Sequence, residues 1–385
     1  MNPDLINQCV HCGFCLQACP TYILWGNEMD SPRGRIYQMK AVSDGAALIN
    51  PKFVQHMDTC LGCVSCMTAC PSGVNYGKLI EETRAEIERT YQRPLSERLL
   101  RWGILNMFPR VGLLRILRAF LAAYQALGLP ALNKLTPKLG PREDVSGVTP
   151  AKGVKRARVG LMLGCVQREF LSEINGASVR VLTAEGCEVV APAEQGCCGA
   201  LLMHAGKDKD ALELTRRMFA SFEAAGVDLI LTNAGGCGSH VKDHASLFKG
   251  KILDISEFLV ELGPRAERRA LNMRVAYHDS CHLQHAQKVR TQPRQLLAGI
   301  PGLTVEEIPE STLCCGSAGI YNLVQPEAAE QLGQRKAEHI RAIAPDAVAT
   351  GNVGCILQMR AALQSGGPKP TVMHTIQILD LSIRG

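Results

Sequence analysis

Residues 9–20 read CVHCGFCLQACP and residues 60–71 read CLGCVSCMTACP, two copies of the spacing CxxCxxCxxxCP. Three thiolates on one tight loop reach three irons of a cubane iron–sulfur cluster, and the fourth, turned away by the following proline, serves the cluster of the other run. The expected ligand sets are therefore crossed: Cys9, Cys12, Cys15 and Cys70 for one cluster, and Cys60, Cys63, Cys66 and Cys19 for the other. A disulfide framework or zinc is the plainer alternative. Zinc sites, however, normally use two separated CxxC pairs with no third cysteine two residues on. The N-terminal segment reads as a holder of two [4Fe-4S] clusters, which move electrons singly.

Composition agrees with an intracellular protein of several domains. The 385 residues suggest two or three domains. Seventeen cysteines would suggest disulfides in a secreted chain. Here residues 1 to 20 already carry cluster ligands and leave no room for a signal peptide, so the thiols are expected in a reducing compartment, the cytoplasm. The formal charge of +6 counts cysteines as neutral, and the surplus of Lys and Arg partly offsets cluster thiolates. Aromatic residues make up 5% and are not interleaved with the basic ones, so no nucleic-acid partner is expected.

The cysteines divide the chain into residues 1–93, 94–157, 158–263 and 272–385. Tyr76 to Arg93 is charged and helix-favouring, and Pro94 is expected to close it. The segment that follows, LSERLLRWGILNMFPRVGLLRILRAFLAAYQALGLPALNKL, carries Arg98, Arg101, Arg110, Arg115, Arg118 and Lys134 against the single acid Glu97, with apolar residues at helical spacing. Its longest uncharged stretch, Ala119 to Asn133, is broken by Pro130 and too short to span a bilayer. An amphipathic helix of this kind packs on protein more often than on a membrane surface, although the basic and apolar faces also suit an anionic interface. Lys138 to Arg158 reads as a linker.

The second half repeats itself. Cys165 and Cys281, Cys197-Cys198-Gly199 and Cys314-Cys315-Gly316, and Gly236-Cys237 and Gly354-Cys355 recur at offsets of 116, 117 and 118. The short runs VGLML, DLILT, RVAYH and DAVAT precede the marked cysteines, with helical stretches between them, so each copy is a βαβ-type unit with cysteines at strand ends. The expected architecture is multi-domain, α+β/α/β. A bacterial-type 2[4Fe-4S] ferredoxin-like helical domain comes first, then a basic helical segment, then two tandem CCG repeats. Adjacent cysteines followed by glycine are poor core packing, and the glycine permits backbone to approach a cofactor. Cys165, Cys197, Cys198 and Cys237, and Cys281, Cys314, Cys315 and Cys355, are read as metal ligands, for a further iron–sulfur cluster or Zn. Cys187 falls outside both patterns and reads as a buried small hydrophobe.

The phrases HCGFCLQACPTY, SPRGRIY, CPSGVNY, RPLSERLLR, GCCGA, LQHAQK and CCGSAGIY, in that order, make the chain resemble the iron–sulfur subunits of bacterial glycolate oxidases, also called glycolate dehydrogenases. The resemblance covers nearly the whole length. It implies an electron-transfer subunit of glycolate dehydrogenase (acceptor), assembled with two homologous FAD-binding subunits that oxidise glycolate to glyoxylate, and a membrane quinone as eventual acceptor. It also implies a place in the cytoplasm or peripherally on the inner membrane's cytoplasmic face. The same CCG module occurs in glycerol-3-phosphate dehydrogenase and lactate-utilisation proteins and in heterodisulfide reductase. In the last of these the motif ends in CxxC, and a fifth thiolate helps hold a noncubane cluster. Here Ala234 and Asn352 stand at that position, which argues against a disulfide-reducing site.

No GxGxxG fingerprint occurs, and the glycine-rich stretch 234–238 lacks the spacing, so no flavin or nicotinamide site is expected in this chain and no residue is assigned a catalytic role. His278, Asp279, His282 and His285 surround Cys281. Imidazoles there relay protons to a quinone or, as preferred, donate hydrogen bonds to cluster sulfurs or cap a helix. Arg33 and Arg35 are expected as electrostatic neighbours of the clusters.

Overall fold

The computed structural model describes residues 1–129, 135–364 and 366–384. Among the described residues, the first 93 form helices and no strand. Pro3, Pro20, Pro32 and Pro51 each open a helix, where a missing N–H costs nothing, and Asn2, Ser31 and Asn50 cap three of these with side-chain oxygens. Ile6, Ile36, Met39, Phe53, Val54, Met57, Leu79, Ile80 and Ile87 close a core under the two cysteine loops. The helix Tyr76–Thr90 stops short of the expected Arg93 because Tyr91 turns extended, and Pro94 instead occupies the N-cap of the next helix.

Helices Leu95–Met107 and Val111–Ala126 follow. Ile104, Leu105, Leu114 and Leu121 turn towards the body, whereas Leu99, Trp102, Ile116 and Phe120 face solvent. The apolar face expected to be packed is thus only half covered. Among the described residues no helix is long and apolar enough to cross a membrane. Pro130 and Lys134 lie outside the described residues. The stretch read as a linker is more than that: β1 (Gly147–Thr149) pairs antiparallel with β3 (Cys187–Ala191), where it covers a sheet edge.

The first repeat is a sheet of order β1-β3-β2-β4-β5, with β2 Ala157–Met162, β4 Leu229–Thr232 and β5 Lys251–Asp254 parallel to β3. The second repeats it as β7-β6-β8-β9, with β6 Met273–Tyr277, β7 Leu303–Glu307, β8 Ala347–Thr350 and β9 Thr371–His374 all parallel. Gly160 is opposite Ile230 in the first sheet and Ala276 is opposite Val348 in the second, so the sequence offsets are also offsets of register. In each repeat the first parallel strand, β2 or β6, lies between the next two, β3 and β4 or β7 and β8, and the chain departs to both sides of it. The carboxyl ends beside such a strand form the crevice where α/β sheets bind ligands.

The repeats are fused rather than strung in tandem. One apolar core includes Val159, Leu161, Ile174 and Leu182 of the first and Val275, Tyr277, Ile340 and Ile376 of the second. The C-terminal helix Thr375–Arg384 packs on Ser172–Ala184, and Arg180 pairs with the buried Asp380 at 2.9 Å. Cys187, fully buried in β3, belongs to this core.

Candidate metal centres

Each N-terminal cysteine loop turns its thiols inward by left-handed backbone at the same two places. His11 and Gly13 adopt positive φ in the first loop, and Gly62 and Val64 do so in the second. For His11 and Val64 this conformation is strained, and such strain persists where the surrounding structure enforces it, commonly at a binding site. Cys9, Cys12, Cys15 and Cys70 line one recess with Arg33, and Cys66 of the other expected set also reaches it. Cys12 is exposed, and Cys9, Cys15 and Cys70 are half-buried. Burial pushes the Cys15 thiol up to about 11, despite a hydrogen bond from the Arg33 backbone. Val10, Phe14 and Tyr37 stand exposed around this recess.

Cys19, Cys60, Cys63 and Cys66 lie deeper, all buried. The fully buried Arg35 donates to His56 O at 2.6 Å and to Thr21 and Thr59 hydroxyls at 3.1 Å, and its Nη1 is 4.0 Å from Cys19 Sγ. Gly62 N and the Tyr76 hydroxyl donate to Cys60 Sγ at 3.4 and 3.6 Å. Burial raises the Cys60 thiol, but the guanidiniums of Arg35 and Arg84 outweigh it and hold the group below its ordinary value. Arg33 is tied to Glu28 at 2.6 Å and donates to His11 O at 3.0 Å, so it braces the first loop.

In the first repeat the thiols form a chain, Cys165 to Cys197, Cys197 to Cys198, Cys198 to Cys237. In the second, Cys281, Cys314, Cys315 and Cys355 are linked in the same order. Both sets lie beyond the carboxyl ends of the strands. The expected reason for the CCG glycine needs correcting. Gly199 and Gly316 have φ near +90°, and a Cβ there would meet the Ala211 and Ala329 carbonyl oxygens at 2.4 and 2.6 Å. It is a neighbouring helix backbone that requires the close approach.

The second N-terminal set abuts the second repeat. Leu61, Cys63, Cys281, Leu313, Cys314 and Tyr321 share one buried cluster, and the Tyr321 hydroxyl donates to Thr59 O at 3.0 Å. Burial first, and then the nearby Cys314, drive the Cys63 thiol well up. Thiol-rich sets without carboxylates suit iron–sulfur clusters and zinc, and backbone N–H groups and a buried guanidinium beside them compensate thiolate charge.

The histidines divide their tasks. Of the two preferred roles, contact with sulfur rather than a helix cap is what His282 shows: its Nδ1 is 4.0 Å from Cys281 Sγ, and it opens a short π-helical turn, His282–Ala286, and stacks on His204 with centroids 5.0 Å apart. His285 Nδ1 meets Thr68 Oγ1 at 2.9 Å, Asp279 holds Arg294 at 2.7 Å, and His278 faces Cys315 and Cys355. Tyr76, Arg84, His204 and Tyr321 were not singled out in the sequence. Tyr76 and Tyr321 end the quoted phrases CPSGVNY and CCGSAGIY, but the roles of all four arise from contacts between distant segments that those phrases do not reveal.

Two four-cysteine loops crossing over one helical core, set against twin α/β units with clustered thiols, define an iron–sulfur electron-transfer protein of the ferredoxin-plus-CCG class. A family model for a 4Fe-4S dicluster domain matches residues 5–74, one for a cysteine-rich domain matches 159–242 and 275–360, and one for the linker region of the glycolate oxidase iron–sulfur subunit matches 96–141. A probable glycolate oxidase iron–sulfur subunit of Bacillus subtilis (strain 168) is 35% identical over 98% of this chain and 93% of its own length. The glycolate oxidase iron–sulfur subunit of Escherichia coli (strain K12) is 36% identical over 99% and 95%. The chain belongs to the family of glycolate oxidase iron–sulfur subunits. Among solved structures, a hypothetical protein from Helicobacter pylori shares the fold at TM-score 0.51 and 10% identity, over 86% of this chain and 64% of that one.

Proposed function

We propose that this chain carries electrons, drawn from glycolate by FAD-binding partner subunits, towards a quinone acceptor in a flavin-dependent glycolate dehydrogenase complex. Cys9, Cys12, Cys15 and Cys70 would hold one [4Fe-4S] cluster and Cys19, Cys60, Cys63 and Cys66 the second, each taking up and releasing single electrons when bound. The carrying observation is the gradient of exposure. Cys12 is exposed, and Cys63 is buried against Cys281 and Cys314 of the second repeat. A partner docking over Val10, Phe14 and Tyr37 meets the outer set directly. The inner set is then insulated from solvent by Tyr76 and Tyr321, and its charge is offset by Arg35 and Arg84. The four thiols of each repeat form a further metal site. The uncovered face of the two amphipathic helices is the second surface on which a partner subunit sits.

The test uses Cys12→Ser and Cys63→Ser in the assembled complex. Each should remove a low-potential cubane signal in electron paramagnetic resonance and abolish quinone reduction, while dye-linked glycolate oxidation by the flavin subunits partly persists. Loss of dye-linked oxidation from an intact complex would refute this division of labour.

A further inference from the structure

The two repeats pair their strands in matching register, yet they differ in a residue buried beside the clustered thiols. The position three before the first cysteine is Met162 in the first repeat and His278 in the second. Met162 lies opposite Thr232 on β4, and His278 follows β6 at the matching position, its N–H donating to Ala349 O at 2.9 Å. Met162 packs in an apolar cluster with Cys198. His278 is 1% exposed, and neither of its ring nitrogens has a nitrogen or oxygen partner. Its ring is left with the Cys355 thiol beside it, and an imidazole buried without nitrogen or oxygen partners forgoes hydrogen bonds it had in water, at a cost of roughly 1–3 kcal/mol, unless something stronger engages it. Its ring, Cys315 Sγ and Cys355 Sγ offer donor atoms all within 4.8 Å of one another, the one such trio among the described residues. Ligands bonded to one metal atom at about 2.0 Å for nitrogen and about 2.3 Å for sulfur span this range.

The geometry points to His278 as a metal ligand, the nitrogen donor that with Cys315 and Cys355 binds one metal atom in the second repeat. The inference rests on the reading that the repeats hold metal. The atom is a lone zinc-type ion or one iron of a cluster; thiolate and imidazole serve both. The second repeat then adds a neutral nitrogen donor to the same number of thiolates as the all-sulfur first repeat, and imidazole ligation of iron goes with a higher potential than thiolate ligation alone. His278 is a positioning or tuning residue for electron transfer rather than a catalytic one.

The experiment takes the full chain, purified anaerobically, as wild type, His278→Met, His278→Cys and Cys315→Ser/Cys355→Ser. Met is chosen because the equivalent buried site in the first repeat already accommodates it. Iron, zinc and sulfide are counted. X-ray absorption at the zinc edge and nitrogen coupling in pulsed paramagnetic resonance at iron then report a bound imidazole. The expected result is a nitrogen signature in the wild type that disappears in His278→Met, while the eight irons expected of the ferredoxin domain remain. His278→Cys should retain the metal with sulfur scattering alone. A signature at zinc identifies a lone ion and one at iron a cluster, and either supports the assignment. If His278→Met keeps metal and signature while the double cysteine variant loses metal, the histidine assignment fails and the metal reading stands. If the double cysteine variant loses no metal, both fail.

Discussion

Asn352 donates from Nδ2 to Cys355 Sγ at 3.5 Å, and its Oδ1 accepts from the backbone N–H of Gly236 at 3.4 Å. One side chain thus fixes a thiol of the second repeat and the glycine turn before Cys237 in the first. The substitution that departs from CxxC has become a strut between repeats. Asn352→Ala should cost about 1–2 kcal/mol, the loss of two modest hydrogen bonds, and leave metal content intact. Chemical denaturation and elemental analysis check this, and an unchanged midpoint would remove the strut from the account.

Among the described residues Arg35 is the largest fully buried side chain, and it is held on every side, with Asp30 at 3.4 Å. Arg35→Met should destabilise the ferredoxin domain by roughly 3–5 kcal/mol, because it strands a buried charge. It should also make the inner cluster harder to reduce, since a cation beside Cys19 and Cys60 favours the more negative, reduced state. Arg35→Lys keeps the charge but loses the fork, so it should lower stability with a smaller change in potential. Thermal unfolding with a redox titration separates the two, and an inner cluster of unaltered potential in Arg35→Met would show that the cation does not set it.

Much of this was legible because metal ligands are spaced by covalent geometry. The CxxCxxCxxxCP runs, the offsets of the CCG cysteines and the strands before them lie where the sequence reading put them. What escaped it depends on partners far apart in the chain. Nothing local to Gly147–Thr149 announces that β3 has an open edge, and nothing in the repeats tells that Thr375–Arg384 crosses to pack on Ser172–Ala184. The CCG glycine was assigned to a cofactor because the helix that crowds it, at Ala211 or Ala329, is remote in sequence. The asymmetry of Met162 and His278 was visible in the offset of 116 but gained meaning only from burial.

Asp254 caps the helix Ile255–Leu262, accepting from Ser256 N at 2.8 Å, and burial raises its carboxyl from 3.8 to about 6. Between those values the folded chain holds a proton that the unfolded chain has released, so stability declines as pH rises through this window. Asp254→Asn keeps a good cap without the charge. It should be more stable than the wild type at pH 7 by up to roughly 3 kcal/mol, with the gap closing towards pH 4. Parallel unfolding titrations from pH 4.5 to 7.5 measure the gap, and a constant difference would assign it to packing instead.

The uncovered helical face yields the last prediction. Leu99, Trp102, Ile116 and Phe120 are 58%, 65%, 55% and 71% exposed, at spacings that put them along the outer sides of Leu95–Met107 and Val111–Ala126. Ile104, Leu105, Leu114 and Leu121 hold the same helices to the body, so the outer residues can be changed without removing the anchor. Burying each against a partner contributes on the order of 1.5–3 kcal/mol. Replacing all four by Gln should therefore weaken the complex by well over a hundredfold, while the isolated chain keeps its melting temperature. Size-exclusion chromatography of the co-expressed complex reads the first effect and calorimetry the second. Flotation with anionic vesicles distinguishes the surfaces these residues meet. Arg98 and Arg110 border the face, so wild-type chain that floats, and a Gln variant that does not, would assign it to a bilayer rather than to a flavin subunit.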